Sequence, residues 1–140
     1  MGMGWHVALN RELPAAAAIA VDGKALIHRQ HDLDEVAEQL GLPRVTDFVS
    51  VDPSAVARFL EQQGLNPDDY PIPEEEWFAA AEALPTVRGL LGYLRATPDA
   101  MLDAFRIVRD LTAIEQILVI ADTEEVQFHL VSEMPTGLGE

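Results

Sequence analysis

Two segments near opposite ends of this chain alternate apolar and polar residues, and neither can be stable alone. Trp5, Val7 and Leu9 point one way while His6, Ala8 and Asn10 point the other. Val126, Phe128 and Leu130 alternate with Gln127, His129 and Val131 in the same manner. A lone strand leaves a row of backbone N–H and C=O groups unpaired, so each needs a neighbour. The two are expected to pair in one small antiparallel sheet. Most of the chain between them carries helical periodicity, and those helices must cover the sheet's apolar face. The expected fold class is α+β, mostly helical, with four to five helices and a sheet joining N- and C-terminal strands. A single globular domain is expected over 1–134, with a flexible C-terminal tail over 135–140.

Local signals place the intervening elements. Pro14 to Ala20 reads as a loop or a short helix. Asp22-Gly23 marks a turn, and Lys24 to His28 reads as a second short strand. Asp32 with Glu35 has capping-box spacing, and Leu33, Val36, Ala37 and Leu40 form an apolar stripe that stops at Gly41. Residues 45–51 read as a short strand or an extended connector. Asp52-Pro53 opens a helix that should bury Val56, Phe59 and Leu60. Three prolines make 65–73 a loop. Glu74, Glu75 and Glu76 suit a helix's first turn, ahead of Trp77, Phe78, Ala81 and Leu84. Pro85 should break or kink that helix. Thr97-Pro98 opens the longest helix, with Met101, Phe105, Val108, Leu111, Ile114, Leu118 and Ala121 at helical spacing.

Charge is the second constraint. The 140 residues hold 24 acids and nine bases, a net charge of −15. Between Arg58 and Arg88 there are seven acids and no base; after Arg109 there are seven more and again no base. The remaining positions hold ten acids and nine bases and nearly cancel. Two base-free stretches, not a general acidity, set the field. Such a field repels nucleic acid and anionic lipid and attracts cations. No nucleic-acid or membrane partner is expected.

There is no cysteine, which excludes disulfides and thiolate chemistry and fits a reducing compartment. Pro14 to Val21 is too short and too poorly flanked for a signal peptide. Gly2 lacks the Ser or Thr that myristoylation needs four residues on, where His6 stands. The expected location is cytoplasmic.

Candidate chemistry is thin. The zinc-protease, phosphate-loop, dinucleotide and serine-hydrolase signatures are all absent. No catalytic residue, resident metal or cofactor is expected. His6 and His129 share the polar face of the expected sheet, where they could bind a small ligand or metal or serve a hydrolase; the plainer reading is two solvent-facing or hydrogen-bonded rings. His28, His31, Asp32, Asp34 and Glu35 cluster in sequence but straddle an element boundary, so they should diverge. Arg88 with Arg95 could hold an anion; pairing within helices, Arg106 with Asp103 and Asp110, is the plainer use. Gly89 and Gly92 suggest close helix packing. Asp68, Asp69 and Tyr70, with Glu74, Glu75 and Glu76, could form a surface for a basic protein, or simply supply helix-start charge.

Trp77 to Leu94 (WFAAAEALPTVRGLLGYL), Val126 to Val131, and Gly4-Trp5 through Asp22-Gly23-Lys24-Ala25-Leu26 resemble a group of small bacterial proteins with no assigned function. The resemblance implies a compact single domain and carries over no active-site residue. The leading expectation is a small acidic interaction module, not an enzyme, that inhibits or accompanies a basic protein as an immunity protein does. The alternative is the histidine ligand site, and a third is a homodimer built on Leu90, Leu91, Tyr93 and Leu94.

Overall fold

A computed structural model of the chain describes residues 4–51, 53–72 and 74–132. The expected cap at Asp52 and the expected tail over 135–140 lie outside the described residues. The terminal strands meet as their alternation requires. β1 (Trp5–Leu9) pairs antiparallel with β3 (Gln127–Ser132), with Val7 opposite Leu130 and Leu9 opposite Phe128. This register puts every apolar residue of the alternation on one face, since opposite residues in an antiparallel pair share a side. Trp5, Phe128 and Leu130 are buried there.

β3 is the central strand. Its second edge is filled by two short pieces. β2 (Phe78–Ala79) pairs with Phe128 and Gln127, and Val49 forms a parallel bridge to Leu130. The Ser50 N–H donates to the Leu130 carbonyl at 2.9 Å. Phe48, Phe78 and Phe128 form one aromatic cluster, with Phe48 edge-on to Phe78 at a centroid distance of 5.5 Å.

Among the described residues, six α-helices accompany the sheet: α1 (Pro14–Ala17), α2 (Lys24–His28), α3 (Gln30–Gln39), α4 (Pro53–Gln62), α5 (Ala80–Ala96) and α6 (Ala104–Thr123). The core is the α5–α6 hairpin packed on the sheet's apolar face. Leu84, Val87, Leu90, Leu91 and Leu94 of α5 join Ile107, Leu111, Ile114 and Leu118 of α6 in it. Each such side chain contributes about 1.5–3 kcal/mol of burial. Arg88 and Arg95 tie the two helices on the outside, to Glu115 at 2.9 Å and to the Thr112 hydroxyl at 3.3 Å. They are interhelical fasteners, not the walls of an anion pocket.

Several expected elements differ. Lys24–His28 is helical, because Gly23 enters it from the left-handed region (φ 72°) and its backbone is pressed against Trp5. A Cβ on Gly23 would sit on the Trp5 carbonyl oxygen, and one on Gly4 would sit on that of Asp22. This turn therefore holds the start of β1 by close backbone approach. The buried carboxylate of Asp110 accepts the Gly23 N–H at 3.1 Å from across the core. α3 starts at Gln30, so Asp32 lies in its first turn and does not cap it.

α5 begins at Ala80, after the three glutamates, and runs through Pro85 without ending. Thr97-Pro98 does not open α6, which starts at Ala104, and the buried stripe runs through Ala104, Ile107 and Leu111, leaving Phe105 exposed. The Arg106 pairs expected with Asp103 and Asp110 do not form, since Asp110 faces Gly23 and the Arg109 side chain. Gly89 receives the Leu42 side chain, whereas open space surrounds Gly92. α4 buries none of its residues, against the expected burial of Val56, Phe59 and Leu60.

Candidate functional site

The second face of the sheet carries His6 and His129, and the segment holding Glu75 lies against it. Residues 74–77 form an extended strap that leads into β2. In extended chain, neighbouring side chains face opposite ways. Glu74 and Glu76 are exposed, while Glu75 turns inward with its side chain 31% exposed. The Glu75 carboxylate meets Nε2 of His129 at 2.9 Å. His129 is only 1% exposed. The Trp77 ring covers it, with centroids 4.6 Å apart and planes at 48°.

Two more contacts fasten the strap. The Glu76 N–H donates to the Ser50 hydroxyl oxygen at 2.8 Å. The Ala79 N–H donates to the Glu82 carboxylate at 3.3 Å, so the glutamate that serves the helix start is Glu82. The expected helix-start role of Glu74, Glu75 and Glu76 is thus corrected. Pairing of Phe78 with Phe128 and of Glu75 with His129 outweighs a local preference for charge at a helix start.

His129 has no ring nitrogen to spare. Nε2 faces the Glu75 carboxylate and Nδ1 lies 3.3 Å from the Leu130 carbonyl oxygen. Both neighbours are acceptors. A neutral imidazole carries one N–H and serves one of them; an imidazolium serves both. Such a ring is a clasp, holding a surface segment to a central strand. Ser50 is equally engaged, its N–H on Leu130 and its oxygen on Glu76.

His6 lies opposite Val131, on the same sheet face as His129 and one pair further along. It is exposed, and the register leaves the two rings diagonal with no bond between them. His31 pairs with exposed Glu35 at 3.0 Å, and Asp34 accepts from the Thr46 N–H and hydroxyl at 3.2 and 2.6 Å. That cluster diverges, as its position on an element boundary demands. Among the described residues no group of three or more histidines, aspartates or glutamates converges to hold a metal, and no helix is long and apolar enough to cross a membrane.

Asp68 and Asp69 sit in a single 3₁₀ turn (Pro67–Asp69) that Asn66 caps by accepting the Asp68 N–H at 3.0 Å. Both are exposed or nearly so, and Tyr70 is exposed beside them. Among the described residues the carboxylates of Asp68, Asp69, Glu74 and Glu76 have no hydrogen bond or ion pair. The second base-free stretch is different. Asp110 is buried, Glu115 pairs with Arg88, and Glu124 pairs with Arg11 at 3.7 Å. Among the described residues of that stretch Asp110, Glu115 and Glu124 are thus engaged and Asp122 and Glu125 stay exposed, while in 68–76 four of the five acids face outward without a partner. The inward turn of Glu75 is not readable from spacing, since its partner lies in a distant strand. The alternation of the strap and the preceding prolines are the available signal.

No protein-family model, curated protein or solved structure matches the chain.

Proposed function

We infer that this protein is a small acidic interaction module that binds a basic protein through the surface formed by Asp68, Asp69, Tyr70, Glu74 and Glu76. The observation that carries the reading is the clasp. Glu75, Ser50, His129 and Trp77 fix the strap so that Glu74 and Glu76 face outward, within a few residues of Asp68 and Asp69. A binding surface held rigid before contact loses less entropy on association than a mobile acidic loop does. Prolines 67 and 71 stiffen the chain leading to it. Tyr70 adds an amphipathic ring among carboxylates, a residue type suited to interface centres.

The role is inhibition or accompaniment of the basic partner, without catalysis. Like charges concentrated on one strip steer an oppositely charged partner and raise its association rate. The alternative, a ligand site at His6 and His129, requires His129 to leave both Glu75 and Trp77 first. The test is stopped-flow association with an arginine- and lysine-rich helical peptide as probe. The on-rate should fall steeply as salt rises. It should fall further when Asp68, Asp69, Glu74 and Glu76 are changed to their amides. An on-rate indifferent to both changes would remove the proposal.

A further inference from the structure

The corner between α5 and α6 leaves apolar surface open. Leu102 is 71% exposed and Phe105 is 82% exposed. They border a groove of about 760 Å³ that reaches Leu94 and is flanked by Met101 and Val108. A single exposed apolar side chain is ordinary, but two large ones beside an apolar groove form a patch suited to docking. The helix does not bury Phe105, because its buried face runs through Ala104, Ile107, Leu111, Ile114 and Leu118.

The charge at this corner sets it apart from the two base-free stretches. In a chain of net charge −15, residues 95–106 carry Arg95 and Arg106 against Asp99 and Asp103, and so cancel. Asp99, Asp103 and Arg106 make no side-chain hydrogen bond or ion pair among the described residues. Asp103 stands at the N-terminal boundary of α6 with φ 63°, yet its carboxylate does not cap the helix. Arg95 reaches only the Thr112 hydroxyl, at 3.3 Å.

We propose that the α5–α6 corner is a self-association surface, on which a second copy of this chain docks about a two-fold axis. A two-fold interface places the same patch on both sides, so it must be complementary to itself. Phe105 beside an apolar groove, with two arginines and two aspartates around it, meets that demand. Phe105 of each copy enters the groove of the other, and each copy's arginines face the other's aspartates. The two base-free stretches of such chains repel each other, so a locally neutral corner favours approach. Leu90 and Leu91, whose leucine-rich run suggests a dimer in the sequence, lie inside the core and are closed to a partner, and of that run Leu94 reaches the groove only as its buried floor.

Sedimentation velocity from about 10 μM to about 1 mM tests this over the range of weak association. The wild-type chain should pass from monomer to dimer. Phe105→Ser should weaken the dimer by roughly tenfold or more, as expected for a buried aromatic anchor. Its melting temperature at about 10 μM, where the monomer prevails, should not fall, because the side chain is exposed in the monomer. Arg106→Glu should weaken the dimer as well, by charge reversal on both sides of the axis. A chain that stays monomeric to the highest concentration overturns the proposal. So does a dimer that Phe105→Ser leaves unchanged.

Discussion

Nε2 of His129 and Oε2 of Glu75 meet at 2.9 Å across 54 positions of sequence, and this contact sorts three consecutive glutamates into two that face outward and one that faces in. The sorting has separable consequences for stability and for binding.

Breaking the clasp should destabilise the fold. His129→Ala removes a buried ring from beneath Trp77 and leaves Glu75 without its partner; a loss of about 2–4 kcal/mol is expected from the cavity and the lost hydrogen bond. Glu75→Gln keeps an acceptor for the ring and should cost only about 1 kcal/mol. Urea denaturation of the two variants gives the comparison. Equal and negligible losses would mean that the strap is not held by this pair.

The surface acids should behave in the opposite way. Changing Asp68, Asp69, Glu74 and Glu76 to amides touches no side-chain hydrogen bond or ion pair among the described residues. Each change should move stability by no more than about 0.5 kcal/mol. The same changes should slow association with the cationic probe. Thermal melts and stopped-flow traces on one set of variants check both halves.

Asp110 offers a third test. Its carboxylate belongs to a residue only 2% exposed and accepts the Gly23 N–H at 3.1 Å. Asp110→Ala leaves that N–H unsatisfied and should cost about 2–3 kcal/mol, whereas Asp110→Asn retains an acceptor and should cost less. Amide hydrogen exchange at Gly23 should quicken in the alanine variant only.

Two glycines should respond with opposite signs. Gly23→Ala places a Cβ on the Trp5 carbonyl at a positive φ and should destabilise by more than about 2 kcal/mol. Gly92→Ala meets open space inside α5 and should stabilise by about 0.5–1 kcal/mol. Chemical denaturation midpoints decide the sign.

The sheet is readable in the sequence because alternation fixes which face each residue takes, and because two unpaired strands must find each other. Its register answers the same need, with Val7 opposite Leu130 and Leu9 opposite Phe128. Elements set by distant contacts are not readable. The glutamate triplet resembles a helix start because nothing nearby in sequence reveals His129. Lys24–His28 has the pattern of a strand, yet the backbone contact between Gly23 and Trp5 selects a helix. Thr97-Pro98 carries a proper helix-opening signal, but the chain uses 97–103 to turn from α5 before α6 begins. For α4 the amphipathic pattern finds the helix correctly; it cannot say that its apolar side remains only half-buried.

Of the candidate site, the acidic residues and both histidines are visible from composition and alternation. Their division of labour is not. Alternation places His129 on a polar face shared with His6, and it does share that face, but the strap covers one ring and leaves the other open.

The central claim is that the clasp presents a rigid acidic strip to a cationic partner. Amide and indole NMR shifts of the labelled chain, titrated with the arginine- and lysine-rich helical peptide, test it most directly. The account predicts shifts concentrated on Asp68 to Trp77, including the Trp77 indole, and their loss in the Asp68, Asp69, Glu74 and Glu76 amide variant. Shifts scattered evenly over the acids of the whole surface, or unchanged in that variant, would contradict it.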